Sequence, residues 1–319
     1  MGRDSRIIQA TGGNTSLKQN GTLWVKASGM NLANSLEQNI FIRLDLNQVR
    51  EHLHQRDPDN GFGFAKICHE DLRPSIETSL HALMPHRVVL HSHPIDVIAL
   101  TLIETGLSDL SQALRDINWH FIPYSRPGHP LASEIARVMA TEPADVLILA
   151  NHGLVVGGSS PEVASALQDE VIRRVRIKPR LYHGPHERQL YKWLELLPGS
   201  RLPIDPVIHT LATDLFSLHL AKQNPPYPDH VVFCGMRPLI MTSAMPSHKV
   251  GAKYVLIPGV GVVLLESAST ATEAMLKAQA EVYLRIPPGN KVKLLSHDQC
   301  AELLNWEAEK YRQSKLAEG

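Results

Sequence analysis

Short apolar runs alternate with stretches of helical period over the first 180 residues, and turn formers separate them. Residues 22–27 and 40–44 read as strands, and residues 46–53 as the core of a short helix. Residues 74–84 place Ile76, Leu80, Leu83 and Met84 at helical spacing, with Glu77 in the first turn and Pro85 as the stop. Val88, Val89 and Leu90 then open a strand that carries His91 and His93 and ends at Pro94, which has no N–H for a ladder. Residues 95–104 read as an apolar helix, 120–123 as a short strand and 131–140 as a helix. Residues 144–150 are nearly all apolar, as expected of a strand buried on both faces. They run through Asn151-His152-Gly153 into a partner strand at 154–158. Ser160-Pro161-Glu162 starts a helix that runs to about Ile177, with serine as N-cap and proline at the first position.

The pattern changes over residues 180–206, where Pro185, Pro198, Pro203 and Pro206 crowd a stretch rich in glycine, histidine and charge. One short helix fits there, at 187–197. This gives a first domain at 1–180, a linker at 181–206 and a second α/β block at 207–319. In the second block strands are expected at 230–234, 239–242, 254–257 and 261–265. Thr270-x-x-Glu273 is a capping-box pattern for a helix over 271–285, and Ser296-x-x-Gln299 is one for a last helix to about Gln313. Residues 146–156 and 254–264 share the order strand, small-residue turn, strand, helix. A weak duplication and a convergence of two ordinary units both fit. The second copy has Pro258-Gly259-Val260 where the first has its histidine turn.

Alternating strands and helices make the chain an α/β protein, and composition narrows its class. Hydrophobic residues are 43% and charged residues 20% of 319, which suits a globular protein and excludes wholesale disorder. Lysine plus arginine equals aspartate plus glutamate at 32 each, which argues against nucleic acid as a partner. Cys68, Cys234 and Cys300 are widely spaced with no CxxC, so a reducing cytoplasm is expected rather than a disulfide framework. The first residues lack the apolar run of a secretory signal, and no stretch is long enough to span a membrane.

The candidate chemistry begins with His91 and His93. On a strand their side chains share a face, which makes half a metal site. His152 ends a buried strand, where α/β proteins place ligand groups. Three imidazoles with an open fourth position are the pattern of catalytic zinc. Spacing alone also allows His152 to be an ordinary turn residue and Glu77 a carboxylate suited to the helix dipole. Upstream, Gly12-Gly13-Asn14-Thr15-Ser16 reads as a turn able to cradle an anion or as an ordinary turn. Ser28-Gly29 is a second donor-bearing turn.

Gly12-Gly13-Asn14-Thr15-Ser16, Ser28-Gly29, Pro74-Ser75-Ile76-Glu77, His91-Ser92-His93-Pro94 and Asn151-His152-Gly153 occur in an order that resembles the class II aldolase/adducin family. The resemblance covers roughly residues 7–180. Its wider wording is similar to the aldolase part of bifunctional rhamnulose-phosphate aldolase/alcohol dehydrogenases, although no GxGxxG opens a helix here. The resemblance implies a layered α/β/α fold with a mixed sheet and helices on both faces. It implies His91, His93 and His152 as ligands of a divalent metal, with Zn2+ the first choice. It implies Glu77 as the acid/base, Tyr124 as a helper at the substrate hydroxyl, and Asn14, Ser28, Gly29 and Ser75 as the pocket for a substrate phosphate. It further implies a homo-oligomer, a tetramer in many members, and a first helix that is short or missing.

The implied reaction is cleavage or formation of a C–C bond in a ketose 1-phosphate or related sugar, through an enediolate whose charge the metal stabilises. Glu77 would move the proton, a task that suits a carboxylate of raised pKa. Ile76 stands where fuculose-type members have a second serine and cannot donate a hydrogen bond. Lys18 or Lys26 would have to compensate, or the ligand differs. Three other readings use the same fold: an epimerase, dehydratase or decarboxylase on the same metal; an adducin-like assembly module without chemistry; and a structural zinc site. The last would need a fourth protein ligand, for which Cys68 is not obviously placed.

Overall fold

The computed structural model describes residues 1–53, 65–67, 72–242 and 251–317. The chain divides into two compact units. The first comprises residues 1–101, 105–176 and 310 onward, the second 102–104 and 177–309.

In the first unit the apolar runs pair into one mixed sheet of seven strands. These are β1 (Asn14–Gln19), β2 (Thr22–Lys26), β3 (Phe41–Asp45), β4 (Val88–Ser92), β5 (Trp119–Ile122), β6 (Val146–Leu149) and β7 (Gly153–Gly158). Their order is β3-β2-β1-β4-β7-β6-β5, and every neighbouring pair is antiparallel except β5 and β6. β6 and β7 are buried at every position, which accounts for their nearly continuous apolar sequence. The helices are α1 (Leu46–His52), α2 (Thr78–Leu83), α3 (Ile95–Leu102), α4 (Gly106–Ala113), α5 (His129–Thr141) and α6 (Pro161–Arg174). Leu80 and Met84 from the α2 segment and Leu131 and Ile135 of α5 pack on Val89, Leu147 and Val155 of the sheet. Toward the other face points Ser92, whose hydroxyl donates to Gln168 Oε1 of α6 at 3.0 Å. Helices on both faces of a mixed sheet are the layered α/β arrangement expected from the sequence.

The second unit contains α7 (Glu187–Leu196), a 3-10 turn (Pro206–His209), α8 (Thr210–Thr213), α9 (Leu215–Ala221), α10 (Pro228–Cys234), β8 (Leu239–Ile240), β9 (Tyr254–Ile257), β10 (Gly261–Leu264), α11 (Thr270–Arg285) and α12 (His297–Asn305). α13 (Glu307–Ala317) ends the element order. The three strands form a small sheet in the order β10-β9-β8. Residues 181–206, expected as a linker, carry α7, and Leu190 of that helix packs with Val255, Ile257 and Val263 in the core of this unit.

Several local expectations need correction. Residues 230–234 form part of a helix, not a strand. Pro228 sits at its start and Asp229 in its first turn, and all seven of its residues are buried. A short apolar run buried all round carries no periodicity to tell the two apart. Asn14, Thr15 and Ser16 lie on β1 rather than in the glycine turn. Helix α2 begins only at Thr78, with Glu77 as its N-cap residue. The capping box of α11 is Ser269 with Thr272, one residue earlier than the Thr270 pattern, while Ser296 with Gln299 caps α12 as expected. The last helix is two, broken at Trp306. Helix α4 and the helical segments over 206–221 were not foreseen. Cys68 lies outside the described residues.

Candidate metal centre

Strand β4 carries His91, and His93 follows one residue past its last member. Its residues alternate faces, so Val89, His91 and His93 share the side covered by α2. His91 is fully buried, and its ring centroid lies 4.9 Å from that of His93. The third histidine comes from the three-residue turn between Leu149 and Gly153, the pair that closes the β6–β7 hairpin. Asn151 adopts a left-handed conformation there (φ 53°), which asparagine tolerates better than most side chains. The His152 ring centroid stands 5.0 Å from that of His91 and 5.1 Å from that of His93. Gly153 allows this approach, because a Cβ on it would meet the Ser92 carbonyl oxygen and the His93 ring. Gly13, at φ 61°, has the same role across the sheet, where a Cβ would meet the His91 carbonyl oxygen and Ile8.

Glu77 projects between these rings. Its Oε2 lies 3.4 Å from His91 Nε2, and its Oε1 lies 3.2 Å from His152 Nε2. The Nε2 atoms of His91 and His93 are 3.1 Å apart. Among the described residues, His91, His93 and His152 are the group whose ligand atoms lie close enough together to hold one metal ion, within 4.8 Å of one another. The donors suit a divalent cation. His91 Nδ1–H donates to the Leu154 carbonyl at 3.0 Å, which fixes the ring and leaves Nε2 as a lone-pair donor. Buried nitrogens packed this closely cannot all be protonated, and burial pulls the His91 imidazole down to about 3. Burial alone would raise the Glu77 carboxyl, but His91, His152 and His93 outweigh it and hold it well below the usual carboxylate range. This corrects the expectation of a raised value: here Glu77 is a carboxylate among imidazoles.

The residues expected to hold phosphate surround this group. Asn14 pairs with His91 across the β1–β4 ladder. Its Nδ2 donates to Glu77 Oε2 at 2.8 Å and to Ser75 Oγ at 3.2 Å. Ser75 Oγ also accepts from the Glu77 N–H at 3.2 Å, and the Ser28 N–H donates to the Arg73 carbonyl at 2.9 Å. Gly29 supplies a left-handed turn at φ 79°. The polar groups proposed for an anion are therefore partly engaged inside the fold. Lys26 donates to the carbonyls of Thr11 and Met30 and so braces the glycine turn. Lys18 donates to the His86 carbonyl, about 13 Å along β1 from Asn14. Tyr124 is half-buried just beyond β5, three strands from β4 and so about 14 Å across the sheet.

Sequence reasoning missed His81, a buried residue of α2. Its Nδ1 is 2.7 Å from Ser16 Oγ, and its Nε2 contacts Asn14 Oδ1. The available signal was the spacing: Glu77 and His81 are four apart on a helix, Asn14 and Ser16 two apart on a strand.

Residues 2–178 match the family described as the Class II Aldolase and Adducin N-terminal domain. Over 178 residues, or 51% of the chain, the protein is 34% identical to YuxG of Bacillus subtilis (strain 168), which bears the name of an uncharacterized oxidoreductase. That match spans only 25% of the relative's length. Among solved structures, the N-terminal class II aldolase domain of a conserved Thermoplasma acidophilum protein is 25% identical, with a TM-score of 0.49, covering 55% of this chain and 86% of that one. L-fuculose-1-phosphate aldolase from Thermus thermophilus is 18% identical, with a TM-score of 0.36, covering 60% and 88%. The family match takes in the β4 histidines, the β6–β7 turn and Glu77, and more than half of the chain: the protein belongs to the class II aldolase and adducin family.

Proposed function

We propose that this protein is a metal-dependent class II aldolase that cleaves or forms a C–C bond in a ketose 1-phosphate or related sugar. The observation that carries the reading is the Glu77 carboxylate, set within 3.4 Å of His91 Nε2 and 3.2 Å of His152 Nε2. His91, His93 and His152 would hold the cation, with zinc the first choice for three imidazoles. When bound, the metal supplies Lewis acidity toward the substrate carbonyl. In the cleavage direction the Glu77 carboxylate takes the proton of the C4 hydroxyl, the C3–C4 bond breaks, and its electron pair passes to an enediolate over C2 and C3. Glu77 then delivers a proton to C3, giving a ketone fragment beside the released aldehyde. Asn14 and Ser75 hold the carboxylate in place for that transfer. The dissimilar role in the name of the Bacillus relative belongs to a chain of which only a quarter is matched.

The anion pocket is assigned to Asn14, Ser28, Gly29 and Ser75. Ile76 adds no donor, and Lys18 and Lys26 are committed to backbone carbonyls. This favours a substrate whose anionic group needs fewer contacts than a tightly gripped phosphate. The second unit is read as a degenerate repeat. β8 is parallel to β9, which forms an antiparallel hairpin with β10 through a three-residue turn, followed by Ser-capped α11. β5, β6 and β7 pair in the same directions and α6 follows β7, and Val260 falls where His152 stands. A homotetramer accompanies the reading on the family resemblance alone, and a cytoplasmic setting on the few, widely spaced cysteines.

The deciding experiment is a cleavage assay of the zinc-loaded protein over ketose 1-phosphates and their unphosphorylated forms. Turnover of either set, with release of an aldehyde, supports the proposal. No turnover of any member by protein shown to contain metal would overturn it. Turnover of the unphosphorylated set alone would show that Ile76 has redirected the pocket.

A further inference from the structure

The face of α2 that carries Glu77 also carries His81, one turn later, and both look onto the β1 positions Asn14 and Ser16. All four side chains are buried. Asn14 Nδ2 donates to Glu77 Oε2 at 2.8 Å, so the edge of the amide that faces Glu77 is its NH2. The second N–H of that group points at Ser75 Oγ. Asn14 Oδ1 is thereby turned toward His81 Nε2, which must carry the proton. His81 Nδ1 is left with a lone pair, and the Ser16 hydroxyl donates to it at 2.7 Å. Every bond in this row follows from one geometric fact, that the Asn14 amide turns its Nδ2 toward Glu77. Burial, reinforced by the nearby His91 and Lys18, holds the His81 imidazole well below its ordinary value and so keeps it neutral.

We propose that His81 is a positioning residue: as the Nε2–H tautomer it locks the Asn14 amide in the one orientation that donates to Glu77, and so fixes the carboxylate against the three histidines. The inference rests on the aldolase reading for its kinetic consequence but not for its structural one. An amide freed from His81 can turn over and set its carbonyl oxygen against the carboxylate, which then loses its aim. The role differs from that of a packing residue, because it depends on a donor at one atom and not on volume.

Two measurements test it. Long-range 1H–15N spectra of the zinc-loaded protein should show His81 as the Nε2–H tautomer from pH 6 to 8; an Nδ1–H tautomer would overturn the proposal. The second uses His81→Phe, which keeps the bulk, and His81→Gln, which keeps a donor near the Nε2 position. His81→Phe should retain its metal and its KM and lose ~10- to 100-fold in kcat, and His81→Gln should recover most of that loss. A metal-loaded His81→Phe enzyme with wild-type kcat would overturn the role. If His81→Phe does not fold, the comparison passes to His81→Asn, whose shorter amide cannot reach Asn14, against His81→Gln; equal kcat in those two would overturn it. Should the wild type turn over no sugar tested, the aldolase reading fails, and the tautomer measurement still decides how His81 holds Asn14.

Discussion

The Glu77 carboxylate lies 3.4 Å from His91 Nε2 and 3.2 Å from His152 Nε2, and all three side chains are buried. Glu77→Gln preserves the shape and removes the proton carrier. It should keep the metal, measured by elemental analysis, and lose about 10²- to 10⁴-fold in kcat. A variant that turns over normally would remove Glu77 from the chemistry. Gly153→Ala tests the approach of β7 to β4, since the new methyl would press on the Ser92 carbonyl. A loss of about 1–3 kcal/mol in urea unfolding is expected, with a fall in metal content as His93 is displaced. Lys18 gives a pH prediction away from the centre. Burial, with Arg50 adding repulsion, pulls its amine from 10.5 down to about 7. Between those two values the unfolded chain binds the extra proton, so this group makes stability rise with pH across that window. Lys18→Met should therefore gain stability over wild type at pH 6 relative to their difference at pH 10. Equal differences at the two pH values would show that Lys18 is not held out of water.

Elements whose sequence has a clear period or a clear cap were legible; those buried all round were not. α6 announced itself through Ser160, whose side chain accepts from the Val163 N–H, and through Pro161 at the first position. Ser160→Ala should lower stability by about 1 kcal/mol in chemical unfolding and leave turnover unchanged. α10 was misread because Val231, Val232 and Phe233 are all buried, so its sequence shows no polar face. β1 was hidden for a different reason. Asn14, Ser16 and Lys18 form a buried polar row facing α2, and a polar alternation next to two glycines looks like a loop until its partners are known. The same row supplies the groups that hold Glu77 and His81.

At the scale of the whole molecule, one divalent ion per chain is expected by elemental analysis, because on the proposed degenerate-repeat reading the second unit carries Val260 at the turn where the first has His152. Two ions would contradict the degenerate repeat. Removing the metal with a chelator should lower the unfolding midpoint, since a ligand held at a hundred times its Kd contributes about 2.7 kcal/mol. No helix among the described residues is long and apolar enough to cross a membrane. Sequence by itself determined that His91 and His93 share a face, that Pro94 ends their strand, and that a buried strand leads into the His152 turn. Each is a local property, set by a period of two or by the geometry of one residue. Only the tertiary structure decided that β7 lies against β4, with β5 and β6 beyond it, which brings His152 to the other two histidines. Only the packing of the Glu77–His81 segment on β1 decided that Glu77 is held by Asn14, and that His81 stands behind that asparagine. Such pairings depend on which surfaces meet, and residues more than sixty positions apart carry no local periodicity that records it.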